Sequence, residues 1–199
     1  MSDFHPVEMP PTPPRRSRWR ETVETVVVAF VLAIGVHAAV AEARFIPSES
    51  MVPTLVIGDR LIVEKISPHF GAPRRGEILV FYPPQHEPVE MSTGVRFVRW
   101  LGFTPEVAYI KRVVGLPGET IAVHDGQVWI NDKALVEPYT NEAPSYEMPP
   151  QTVPPGHLFM MGDNRNNSQD SHVWGPLPID NVIGHAAVRF WPITRLGVT

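Results

Sequence analysis

The 23 prolines of this chain, spread along 199 residues, constrain its fold more than any other feature. Each removes a backbone donor and clashes with the preceding turn of a helix, so a mainly helical body is excluded and strands with turns must carry the core. Short stretches rich in β-branched or aromatic residues and bounded by Gly, Pro or Asp meet that requirement. They are Arg60 to Glu64, Glu77 to Tyr82, Ala108 to Val114, Thr120 to Val123, Gln127 to Ile130, His157 to Met161 and Ile183 to Phe190. His124-Asp125-Gly126 between two of them signals a hairpin, because Gly accepts the positive φ of a tight turn. With no helical periodicity between the stretches, the predicted fold class is mostly β, with antiparallel sheets rather than βαβ units.

The exception stands near the start. Thr25 to Ala41 carries no charge and is apolar apart from Thr25 and His37. At about 17 residues it lies at the short end of what crosses a bilayer, with Val23 and Phe45 available to extend it. Residues 1–20 are Pro-rich, end in Arg15, Arg16, Arg18 and Arg20, and have too few apolar side chains to pack. Arginines before the run and none inside it place the N-terminal side in the cytoplasm and the rest across the membrane. A cleavable signal peptide fits the same residues, since Ala39-Val40-Ala41 satisfies the A-x-A pattern. A buried helix of a soluble protein fits them least. Hydropathy alone does not separate the anchor from the cleaved signal.

Composition excludes several chemistries. A formal net charge of −4 leaves no broad cationic surface for a phosphate backbone, so nucleic acid is not an expected partner. Cys is absent, which removes disulfides, thiolate metal sites and a thiol nucleophile together. The 8 His form no H-E-x-x-H pair, so neither a metal nor another cofactor is expected. A nucleophile here must be a hydroxyl, a carboxylate or an amine.

Three stretches concentrate chemistry-bearing side chains. In Ile46-Pro47-Ser48-Glu49-Ser50-Met51-Val52-Pro53-Thr54-Leu55 the two prolines fence a pair of hydroxyls one residue apart, so both can face one target. Taken alone, this is more often only a turn. In Tyr109-Ile110-Lys111-Arg112-Val113-Val114-Gly115, strand alternation puts Lys111 on the side of Tyr109 and Val113. Burial there would depress its pKa and leave a neutral amine able to take a proton; a lysine at a sheet rim with its ammonium in water is the commoner case. The third stretch, Gly162 to Pro176, contains Asp163, Asn164, Arg165, Ser168, Asp170 and His172. It reads either as solvated Asx turns or as a shell that orients a catalytic group.

In this order, after an apolar segment, the three stretches closely resemble the type I signal peptidase family. The resemblance runs from about Arg44 to Phe190 and is dense in SxSMxPTL, YIKRVVGLPG, GDNRxNSxDS and WGP. It decides for the anchor and implies three parts: residues 1–20 as a cytoplasmic tail, 21–43 as a transmembrane helix and 44–199 as an extracytoplasmic peptidase domain. It further implies a serine endopeptidase of the cell membrane, partnered by the bilayer and by the signal peptides of exported preproteins, which it cuts after small residues at −3 and −1. Ser50 then corresponds to the nucleophile, Lys111 to the general base and Ser48 to an oxyanion-hole hydroxyl. Ser168 corresponds to the residue that hydrogen-bonds the lysine amine, and Asp163, Arg165 and Asp170 to the loop that braces the site. Ile46, Pro47, Met51, Leu55, Tyr109 and Ile110 are expected to line the substrate pockets.

Glu49, where the family also has Gly, adds a carboxylate beside the dyad that is expected to raise the pKa of Lys111. His172 stands where an Arg is often found, and Val89 to Pro105 is a long insertion suited to a bilayer interface or to a packed hairpin. Three rivals remain: a Ser/Lys self-cleaving repressor-type protease, which would need a DNA-binding domain where the apolar segment lies; a hydrolase using His172 and Asp170, which lacks a G-x-S-x-G elbow; and a membrane-anchored binding module with idle serines.

Overall fold

The computed structural model describes residues 18–66, 71–84 and 108–199. Residues up to Gly35 form one unit and Val36–Thr199 another. The expected cytoplasmic tail, except for its last residues, and the insertion Val89 to Pro105 lie outside the described residues.

The first unit is most of a helix, α1 (Arg18–Ala39), 22 residues long. Its first turns hold Arg18, Arg20, Glu21 and Glu24, and beyond them Val26, Val27, Phe30, Val31 and Leu32 are all exposed. Among the described residues no helix is long and apolar enough to cross a membrane. The side chains of Ile34 and of residues 36–39, part of the expected span, lie outside the described set. The expected far boundary at residue 43 is corrected: the helix stops at Ala39, and Ala41–Phe45 is a strand, β1, paired with Arg60–Glu64, β2. Glu42 in β1 is buried and ion-paired to Arg44 and Lys65, which gives this segment a place in the sheet that its hydropathy does not announce.

The second unit is mostly β, as expected. Its strands continue as β3 (Ile78–Phe81), β4 (Tyr109–Gly115), β5 (Thr120–His124), β6 (Gln127–Ile130), β7 (Lys133–Ala134), β8 (Met148–Thr152), β9 (His157–Met161), β10 (Leu177–Pro178), β11 (Val182–Trp191) and β12 (Gly197–Val198). All described pairings are antiparallel. One sheet runs β1-β2-β11-β3-β4-β9-β10 with β12 alongside β11, and a smaller one runs β7-β6-β5-β8. The β5–β6 hairpin turns through Asp125 (φ 52) and Gly126 (φ 68), the double positive φ that a two-residue connection of this type requires.

The large sheet is buried on both sides around β3 and β4. Leu79, Phe81, Val113, Leu158, Met160 and Leu177 form one apolar cluster, while Leu61, Val63, Ile78, Val80 and Ile110 pack with Ile46, Met51 and Leu55 in another. A third fills the space under the small sheet with Ile121, Val123, Val128, Val153 and Phe159. Each fully buried side chain of this size is worth about 1.5–3 kcal/mol relative to exposure. The site is therefore built on the stiffest part of the molecule.

Candidate active site

Residues 46 to 59 form a closed loop between β1 and β2. The Ile46 N–H donates to the Asp59 carbonyl at 2.9 Å, and the Gly58 N–H to the Ile46 carbonyl at 3.1 Å. Ile46, Met51 and Leu55 pin it to the core, none of them more than 2% exposed. These three, expected to line substrate pockets, are correspondingly core residues and do not line the groove. With its apolar side chains turned inward, the loop presents Ser48 and Ser50 at its outer side.

Lys111 is on β4, opposite Leu79, so alternation places it with Tyr109 and Val113 as expected. Its Nζ lies 2.6 Å from Ser50 Oγ and 5.8 Å from the centre of the Tyr109 ring. Lys111 is 5% exposed and Ser50 6%. Burial pulls the amine down from its ordinary 10.5 to about 8, against the carboxylates of Asp170 and Asp163, which hold it up. Those two, and not Glu49, are the opposing charges. Ser48 Oγ is 3.3 Å from Ser50 Oγ.

The loop after β9 closes over this pair from the other side. The Asn164 N–H donates to the Ser50 carbonyl at 3.1 Å, and its side-chain amide to the Glu49 carbonyl at 3.2 Å. Asp163 is fully buried and takes both Nε and Nη2 of Arg112 at 2.8 and 2.7 Å. Thr54 donates its hydroxyl to the same carboxylate at 2.5 Å. Removing one partner of a buried pair like Arg112–Asp163 leaves an uncompensated charge, at about 3–5 kcal/mol. This strap ties the serine loop, the lysine strand and the polar loop together.

Arg165 is 1% exposed and donates to the Gly162 carbonyl at 2.9 Å and, in a fork, to Glu137 at 2.6 and 2.7 Å. Burial alone would lower its pKa, but the Glu137 carboxylate prevails and holds it above the ordinary value. Tyr139 completes the cluster, its hydroxyl donating to Glu137 at 2.8 Å and its ring 4.0 Å beneath the Arg112 guanidinium. Glu137 and Tyr139 lie in an irregular segment with no local pattern, so nothing in the sequence marks them.

Asp170, also fully buried, accepts the Gly162 N–H at 2.8 Å and His172 Nδ1 at 2.6 Å. It caps the short helix α2 (Ser171–Trp174) through the His172 N–H. The His172 ring stacks on Tyr146 at 4.3 Å, so its contacts are with the bracing loop, whereas those of Ser50 are with Lys111 and Ser48. Ser168 departs from expectation: its hydroxyl is buried, has no hydrogen-bond partner among the described residues and does not bond the lysine amine. It lies instead against Gly162, where an added Cβ would stand 2.3 Å from Ser168 Oγ and 2.4 Å from the Ser50 carbonyl oxygen. Gly162 is thus a site residue that sequence reasoning passed over.

Between the loops runs a groove of about 580 Å³, open to solvent. Pro47, Tyr109 and Ile110 of the expected pocket residues line it, together with Ser50, Lys111, His172 and Val173.

Comparison with known proteins places the chain in a family. The signal peptidase, peptidase S26 profile matches residues 19–191. The chain is similar to signal peptidase I of Leptolyngbya laminosa, with 46% identity across 98% of this chain and 94% of that one. It is also similar to the probable signal peptidase I-1 of Synechocystis sp., with 48% identity across 89% and 85% of the two chains, and to signal peptidase I of Mycobacterium tuberculosis, with 37% across 94% and 78%. A profile match over most of its length and relatives at these identities show that the chain belongs to the signal peptidase family, peptidase S26.

Proposed function

We propose that the protein is a membrane-bound serine endopeptidase that removes N-terminal signal peptides from exported preproteins, with Ser50 as nucleophile and Lys111 as general base. One observation carries this reading: a buried lysine amine 2.6 Å from a buried serine hydroxyl, both lining a groove. The neutral amine takes the Ser50 proton as Oγ attacks the scissile carbonyl, and the resulting ammonium protonates the leaving amine. Water deprotonated by the same amine then releases the acyl group from Ser50. The tetrahedral oxyanion is held by the Ser50 N–H and the Ser48 hydroxyl, donors set in place before substrate arrives.

The substrate binds as an extended strand along the groove. Pro47, Tyr109 and Ile110 leave room for small side chains at −1 and −3 and exclude larger ones by collision. Asp163, Arg165 and Asp170 act as braces: each is buried, and each binds backbone or charge of the strap around Ser50 and Lys111.

The test is cleavage of a preprotein with an Ala-x-Ala junction, with the new N-terminus read by mass spectrometry. Ser48→Ala is expected to cut at the same bond about a hundred- to a thousandfold more slowly, the usual consequence of losing one oxyanion donor. His172→Ala is expected to slow cutting only several-fold. Loss of all activity in His172→Ala with Ser48→Ala unaffected would favour a His172–Asp170 mechanism and sink the dyad.

Residues 21–39, the helical part of the expected span, are proposed to anchor the chain once in the membrane, N-terminal side in the cytoplasm, with the peptidase domain on the other face. The arginines before α1 and the apolar side chains exposed along it support this. Alkaline carbonate extraction is expected to leave the full chain with the lipid; release of an intact chain into the supernatant counts against the anchor.

A further inference from the structure

The serine loop is also gripped by residues that do not line the groove. Asp59, at the loop's end, is 0% exposed and takes the Val56 N–H at 3.0 Å. Its charge is met by two arginines from distant sequence: Arg195 Nη1 at 3.3 Å and Arg189 Nη1 at 3.7 Å. Arg189 is on β11, and Arg195 is in the 3-10 turn Ile193–Arg195 that leads into β12. Both also reach the loop backbone. Arg189 donates to the Thr54 carbonyl at 2.7 Å, while Arg195 Nη2 donates to the same oxygen at 3.2 Å and to the Pro53 carbonyl at 3.5 Å. Arg189 further donates through Nε to the Arg195 carbonyl, which ties its guanidinium to the backbone that carries the second arginine.

Thr54 is where this grip meets the catalytic strap. Its carbonyl is held by the two arginines, while its hydroxyl donates to Asp163, the partner of Arg112 beside Lys111. Three residues separate it from Ser50 in a loop whose ends are already closed. A carbonyl accepting from two fixed cations is a rigid point, since charge-assisted hydrogen bonds are short and about twice as strong as neutral ones. The planar fork of Arg suits a task that needs a carboxylate and a carbonyl held at once, which a lysine ammonium does as a point charge only.

We propose that Arg189 and Arg195 are positioning residues for Ser50, holding Thr54 and Asp59 so that the serine loop keeps its hydroxyl in line with the Lys111 amine. The proposal rests on Ser50 being the nucleophile. Neither arginine lines the groove, so the grip acts on the rate of the bond-making step and not on how tightly the substrate binds. A displacement of about 1 Å at a reacting atom lowers a rate by about a hundredfold, which sets the scale expected on full release.

The experiment uses the full chain, with Arg189→Ala, Arg195→Ala, the double variant and Arg195→Lys, on the Ala-x-Ala preprotein. Measurements are kcat and KM, the pH dependence of kcat/KM, and the thermal midpoint that gives the folded fraction. Each single Ala variant is expected to lose about tenfold in kcat per folded molecule, and the double variant about a hundredfold. KM should stay within twofold and the midpoint of the pH profile should not move. Arg195→Lys should recover part of the loss through the Asp59 contact alone. A double variant whose kcat per folded molecule lies within twofold of the parent overturns the proposal, as does a loss that appears in KM. Ser50→Ala, assayed in parallel, separates this from failure of the mechanism: residual cutting there refutes the nucleophile, whereas a dead Ser50→Ala beside a fully active double variant refutes the grip alone.

Discussion

Lys111→Met is expected to stop cleavage while making the folded chain more stable. The loss follows from removing the only amine placed on Ser50 among the described residues, and should match Ser50→Ala, at about 10⁴-fold or more in kcat/KM. An amine with a pKa of about 8 is neutral in roughly a tenth of molecules at pH 7, against roughly one in 3,000 for an unperturbed lysine. In the parent, kcat/KM should therefore climb about tenfold per pH unit below 8 and level off above it.

The gain in stability comes from the same burial. Below pH 8 both folded and unfolded chains carry the proton, and the folded one bears the full penalty of a buried charge. Between 8 and 10.5 the unfolded chain holds more protons, so stability rises with pH; above 10.5 the penalty is gone. The penalty removed by Met at pH 7 is on the order of 3 kcal/mol. Urea titrations at pH 7 and pH 10 check this: the advantage of the Met variant should be clear at the first and smaller at the second. Cutting by the variant, or inactivity together with a lower urea midpoint, would refute the account.

Gly162→Ala is expected to cost at least a hundredfold in kcat/KM and about 1–3 kcal/mol in stability. A methyl there would overlap the Ser50 carbonyl and the Ser168 side chain, and the first of these is backbone that cannot rotate away. Relief must move the nucleophile or break the bond from the Gly162 N–H to Asp170. Gly118→Ala makes the control: at φ +83 a Cβ is strained, but nothing lies within 4 Å, so stability should fall by about 1 kcal/mol with cleavage unchanged. Parent-like cleavage by Gly162→Ala would show that the loop yields without disturbing Ser50.

What could be read in the sequence was whatever repeats locally. Strands β2, β6 and β9 fall where β-branched and aromatic runs place them, and Asp125-Gly126 turns as its residue types require. Lys111 was placed on its side of β4 by alternation alone, and the resemblance brought Ser50 to it across 61 positions. β1 is obscured because it follows directly on an apolar run, and β8 because Pro149 and Pro150 argue against a strand until one sees that it lies at an edge. The resemblance assigns Ile46, Met51 and Leu55 to the substrate pockets, and a loop has no period to say that these side chains turn inward to the core. Glu137, Arg189 and Arg195 escape for a different reason: ion-paired groups declare themselves only by their partners, which are distant in sequence.

The small sheet has a further bearing on a protein that handles extended chains. Its outermost ladders are β8, with two adjacent prolines that offer no N–H, and β7, two residues long and led by a lysine. Neither gives an arriving strand enough to zip onto. Among the described residues an arriving extended chain thus finds no foothold on that flank, and β-type aggregation is discouraged there by the same residues that hid the strand from view.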